Sequence, residues 1–163
     1  MLFRVMLVVA GIVLSTSTSF PDSIRSASSP VSVSGIRSSS VELSTELLAG
    51  LPVIEQDVTF QTSKGVSTEH YKGVLVWDLF EALGAFQGLE HNAELKKTFL
   101  VKASDGYEIA FSVGEIHPDF GNTPLMLVTE MGGKPTNGAW RFVVPGDKRG
   151  ARAIHEIASI EMR

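Results

Sequence analysis

The sequence predicts an α+β domain that is rich in β structure, with mixed sheets and few short helices. Three observations carry that reading. Short alternating or β-branched runs recur along the chain, separated by Gly, Pro, Asn and Asp. One stretch, 74–84, repeats apolar residues at helical spacing. The 163 residues are 44% hydrophobic and 20% charged, an ordinary globular composition at a length suited to one domain.

The elements follow in chain order. Ser44 before Glu46-Leu47-Leu48 predicts a short capped helical turn ended by Gly50 and Pro52. Val58 to Thr62 alternates and is a strand, Lys64-Gly65 a turn, and Val66 to Lys72 extended again. From Val74 to Gly84, Leu75, Leu79 and Leu83 share a helical face, Asp78 sits in the first turn and Gly84 takes the position after the helix end. Phe99 to Ala103 and Tyr107 to Val113 are strands joined by a Ser104-Asp105-Gly106 hairpin turn. Gly114 to Pro118 is a helical turn. Leu125 to Glu130, Trp140 to Val144 and Ile157 to Met162 are the remaining strands. Trp77 and Trp140 lie in apolar segments and are expected in the core.

Ahead of this domain, Arg4 precedes an apolar run from Val5 to Leu14 and then small polar residues, which is the pattern of a signal peptide over 1–19. Ten apolar residues are short against the about 20 that a membrane span requires, so cleavage is favoured over a retained anchor. A periplasmic or secreted location is the expectation. Residues 20–41 are rich in Ser and read as a flexible tether, leaving 42–163 as the folded domain.

The formal net charge of −4 gives no reason to expect a nucleic-acid partner. The chain has no cysteine, so thiolate nucleophiles, thiol redox exchange, iron–sulfur ligation and metal–sulfur bonds drop out. No phosphate-binding P-loop, dinucleotide fingerprint or Gly-x-Ser-x-Gly elbow is present. His91 and His117 have no neighbours at zinc-ligand spacing.

Three stretches, in order, resemble one known family. Tyr71-Lys72-Gly73-Val74-Leu75-Val76-Trp77-Asp78-Leu79-Phe80 is similar to a Y-x-G-V-x-L-W-D-L-L helix entry. Ala103-Ser104-Asp105-Gly106-Tyr107 is similar to an A-x-D-G-Y hairpin. Trp140-Arg141-Phe142-Val143-Val144-Pro145-Gly146, followed by Gly150-Ala151-Arg152 and Ile154, is similar to R-x-V-x-P-G … G-A-R-x-V-K. Together they resemble the oxidoreductase molybdopterin-binding domain family, the sulfite oxidase-type fold. The resemblance implies that fold over nearly all of 41–163, with a molybdopterin or related pterin as cofactor.

The sequence departs from the family's pattern where the chemistry lies. The family's metal-holding cysteine corresponds to the stretch Thr59 to Gly65, which offers only Thr and Ser hydroxyls, hard and poor donors to a soft metal. The family's phosphate-contacting lysine is His155 here, and the loop Asp147-Lys148-Arg149 carries one extra residue.

The candidate binding residues are therefore Gly146, Lys148, Arg149, Gly150, Arg152 and His155, with His70 a weaker candidate beside Tyr71. Two glycines let backbone N–H groups approach an anion, and the basic side chains add charge. The plainer account of the same loop is a polar surface turn in which Asp147 neutralises one base. The expected function is binding of a small anionic, pterin-like ligand without a thiolate-held metal. The alternatives are a molybdenum-dependent oxidoreductase with a non-Cys metal site, and a partner-binding module that kept only the fold.

Overall fold

The computed structural model describes residues 30–163. The signal-peptide segment 1–19 and residues 20–29 of the expected tether lie outside them.

The described chain forms two five-stranded sheets. The first runs β2 (Val41–Glu42), β1 (Ser32–Ser34), β10 (Ile157–Met162), β5 (Thr98–Ala103), β6 (Glu108–Ser112). The second runs β3 (Val53–Thr62), β4 (Gly65–Leu75), β7 (Met126–Met131), β8 (Lys134–Pro135), with β9 (Arg141–Val143) also paired to β7. Among the described residues, only β1 and β10 pair in parallel. Three short helices complete the fold: α1 (Thr45–Ala49), α2 (Val76–Ala82) and α3 (Val113–Ile116).

Residue patterning explains these elements. In β5, Phe99, Val101 and Ala103 are buried, with the intervening Leu100 and Lys102 more exposed. The unbroken run Met126-Leu127-Val128 in β7 is buried on both faces. Leu127 and Phe142 join the main core, while Met126, Val128 and Val143 join a smaller cluster with Val58, Phe60 and Tyr71. Ser44 caps α1 as its spacing predicts, its hydroxyl accepting from the Leu47 N–H at 3.2 Å. Trp140 is buried at 4% exposure. Trp77 is only partly buried, stacked on Phe86 with centroids 4.6 Å apart and against His117 at 4.5 Å.

Two expectations are corrected. Residues 30–41 are not a tether. Val31 and Val33 are each 1% exposed, and β1 is hydrogen-bonded between β10 and β2. A Ser-rich composition conceals alternation in Val31-Ser32-Val33-Ser34, which suffices for a strand once a partner strand is present. Helix α2 begins at Val76 rather than Val74. Val74 and Leu75 stay in β4, opposite Leu127 and Met126, so the tertiary ladder overrides the helical spacing of Leu75.

Candidate functional site

The loop after β9 enters through buried Pro145 and turns at Gly146, whose φ of +97° is a conformation that side-chain-bearing residues rarely adopt. It continues through Asp147, Lys148 and Arg149 into a 3₁₀ turn at Gly150–Arg152. Two contacts fasten it to the rest of the fold. The Gln61 N–H donates to the Lys148 carbonyl at 2.8 Å, tying the loop to β3. The Tyr107 hydroxyl donates to the Ala151 carbonyl at 3.1 Å, so the Asp-Gly-Tyr hairpin and the Gly-Ala-Arg turn meet in space.

Arg152 is the brace of the loop. Its Nη2 and Nε donate to the two carboxylate oxygens of Asp147 at 2.7 and 2.9 Å, and its Nη1 donates to Glu115 on α3. The guanidinium also lies 5.7 Å from the centre of the Phe111 ring. These bonds, those to Asp147 first and those to Glu115 second, push its pKa above the ordinary arginine value. The side chain expected to grip a ligand anion thus already holds two carboxylates. With Arg152 36% exposed, its removal falls between the cost of a surface pair and of a buried one. Arg152→Ala is expected to lower stability by about 2 kcal/mol in urea unfolding, an effect well above the scatter of about 0.5 kcal/mol for ordinary surface substitutions. A variant as stable as the parent would remove the brace from this account.

The other candidates are distributed over two clefts. Gly150 and His155 line one of about 200 Å³ with Asp105 and Tyr107. Gly146 and Lys148 line another, of about 410 Å³, with Asp57, Thr59 and Gln61 of β3. Lys148, Arg149 and His155 are exposed, and Arg149 and Arg152 line neither cleft. His70 stands apart on β4 but bonds to a residue of the second cleft: its Nδ1 lies 2.7 Å from Asp57 Oδ1, with Glu55 3.5 Å from Nε2. Glu115 and Tyr107 take part here through contacts that sequence spacing does not reveal. The single linear hint was Tyr107, as part of the Asp-Gly-Tyr motif.

The Asp57 hydrogen bond raises the His70 pKa above its usual value. A raised folded-state value favours the folded chain at pH below the unfolded histidine value, and that contribution disappears as pH rises through the folded one. Asp57→Asn is expected to move the His70 midpoint back down in an NMR titration of the imidazole resonances. An unmoved midpoint would mean the pair does not form in solution.

A thiolate-anchored metal does not fit the residues present. The chain has no cysteine, and the two threonine hydroxyls in the corresponding stretch are already engaged. Thr59 Oγ1 lies 2.8 Å from Thr68 Oγ1, while Thr62 Oγ1 donates to the Gly65 carbonyl at 2.8 Å and accepts from the Lys64 N–H at 3.1 Å. Among the described residues no group of three or more His, Asp or Glu is arranged to hold a metal ion.

By its two five-stranded sheets, one mixed and one antiparallel, and its few short helices, the chain is similar in fold to a solved structure. The solved structure in question is the sulfane dehydrogenase SoxCD from Paracoccus pantotrophus, matched at a TM-score of 0.62 and 14% identity. The match covers 83% of this chain and 38% of that one, so this chain spans well under half of its neighbour's length. No family model matches the chain, and no curated protein matches it. Among the described residues, no helix is long and apolar enough to cross a membrane.

Proposed function

We propose that the chain is an exported protein with a molybdopterin-binding-domain-like fold, and that it binds a phosphorylated, pterin-type anion without a thiolate-held metal. The observation that supports this most is the braced loop itself. Arg152, Asp147 and Glu115 hold the loop in place while Lys148 and His155 each line one cleft and Arg149 is exposed in the loop that separates them in sequence. A loop already ordered loses little conformational freedom on binding, which favours affinity. The motifs that resemble the molybdopterin-binding domain family, in a chain whose fold is similar to that of the sulfane dehydrogenase SoxCD, make a molybdopterin-like ligand the class to test. In this reading the phosphate is held by Lys148, Arg149 and His155 with the N–H groups of Gly146 and Gly150, and Arg152 positions rather than touches it. The absence of a thiolate, with only hard Thr59, Thr62 and Ser63 hydroxyls in its place, favours this reading over the oxidoreductase alternative.

The test is quenching of pterin fluorescence by the full chain, using a phosphorylated pterin and its dephosphorylated parent. The phosphorylated form is expected to bind more tightly, and Arg149→Ala with Lys148→Ala should weaken it about tenfold or more, the scale of a lost charge-assisted hydrogen bond. Affinity unchanged in the double variant would exclude the loop. Stoichiometric molybdenum in protein purified from its natural host would overturn the metal-free part.

A further inference from the structure

The outer strand of the second sheet carries a feature that the ligand-binding reading does not use. Strand β3 is ten residues long and outermost in the order β3-β4-β7-β8. The Gln61 N–H points away from β4, to the Lys148 carbonyl. In an antiparallel ladder this makes Gln61↔Val66 a non-hydrogen-bonded pair, and by alternation so are Thr59↔Thr68, Asp57↔His70, Glu55↔Lys72 and Val53↔Val74. Side chains approach most closely in such pairs, as the Thr59–Thr68 contact at 2.8 Å and the Asp57–His70 contact at 2.7 Å show. The N–H and C=O groups of Val53, Glu55, Asp57 and Thr59 therefore face outward. Among the described residues none of them has a backbone partner across the edge.

Natural sheet edges are usually blunted by proline, lysine, a bulge or shortness. β3 has no proline, lysine or arginine, and its ladder with β4 is regular over all ten residues. The cleft of about 410 Å³ runs along this edge, between Asp57, Thr59 and Gln61 on one side and Pro145 to Lys148 on the other. The exposed face beside it stays acidic on balance: Glu55 and Asp57 pair with Lys72 and His70, Glu130 adds a further carboxylate, and on the groove's other wall Lys148 stands with Asp147.

We infer that the free edge of β3 docks an extended, basic segment of a protein partner, which joins the second sheet as a new edge strand in the groove beside the Pro145–Lys148 loop. Main-chain hydrogen bonds supply the attachment and alternate basic side chains meet Glu55 and Asp57. A second copy of this chain is the poorer occupant, because two-fold antiparallel pairing about Gln56 sets Glu55 of one copy against Asp57 of the other.

The probe is a fluorescein-labelled peptide matched to the ten residues of β3, alternating lysine and threonine, with a glutamate-for-lysine companion, read by anisotropy against the full chain. The lysine peptide is expected to bind at least about tenfold more tightly than the glutamate peptide. Thr59→Pro deletes an outward N–H without touching the β3–β4 ladder and should weaken binding about tenfold, while Thr59→Val, which keeps the N–H, stays within about twofold. If Thr59→Pro does not fold, Glu55→Lys with Asp57→Lys serves in its place, with the same loss expected. The proposal is overturned by no binding of the lysine peptide, by equal binding of the two peptides, or by undiminished binding to the edge variant. It is overturned equally by a dimer in sedimentation that Thr59→Pro abolishes, which would assign the edge to a second copy. The groove shares Gly146 and Lys148 with the proposed anion site, so the two readings are separated by variants outside the overlap: Thr59→Pro removes no group of the anion site and should leave pterin binding unchanged, while Arg149→Ala lines no part of the groove and should leave peptide binding unchanged.

Discussion

Replacing Val33 by aspartate is expected to leave the domain largely unfolded at room temperature. Val33 is 1% exposed, at the centre of β1, opposite Ile160 of β10 on one side and Val41 of β2 on the other. No buried polar or charged residue exists among the described residues to receive a carboxylate there. Burial of an unpaired charge, together with the lost apolar packing, costs about 4 kcal/mol or more, against a total stability of about 5–15 kcal/mol for a domain. Ser34→Asp, on the partly exposed opposite face of the same strand, should cost under about 1 kcal/mol. Far-UV circular dichroism and urea unfolding of both variants decide the matter. A Val33→Asp protein that unfolded like the parent would return residues 30–41 to the tether that their composition suggests.

The second large effect is expected at Gly73, the glycine of the helix-entry motif. Gly73 sits where β4 pairs with β7 and the register shifts, its partner being Val128 while Lys72 pairs with Glu130. A Cβ there would lie 2.2 Å from the Leu127 carbonyl oxygen and 2.9 Å from both the Leu127 carbonyl carbon and the Val128 Cα. All three are backbone atoms, so no change of rotamer relieves the contact and the strands must part. Gly73→Ala should cost about 3 kcal/mol and lower the thermal midpoint by about 9 °C. Gly50→Ala is the control: its Cβ would meet only the Leu47 carbonyl at an ordinary 3.6 Å, in a right-handed helical conformation. Equal midpoints for Gly73→Ala and the parent would mean the two strands lie further apart in solution.

Much of the architecture was legible in the residues. The alternation in Phe99 to Ala103, the Asp-Gly hairpin, the Ser44 cap and the last strand at 157–162 all depend on neighbours in sequence, and they stand as the spacing predicts. What failed were places where long-range pairing competes with local preference. β1 is too short and too rich in serine to announce itself, and it exists because β10 lies alongside it. Leu75 fits a helical face by spacing yet remains extended because Met126 pairs with it.

The candidate site divides along the same line. The sequence by itself determined that a basic, glycine-bearing loop follows β9 and that no thiolate is available anywhere in the chain. Composition and order suffice for both statements. Only the tertiary structure decided what each base does. Arg152 is held by Asp147 and by Glu115, 37 residues away, while Lys148 and Arg149 stay exposed and His70 pairs with Asp57 on another part of the second sheet. Charge is a property of the residue. Whether that charge is spent inside the fold or left for a ligand depends on which carboxylates the fold carries to within hydrogen-bond reach, and those partners are remote in sequence.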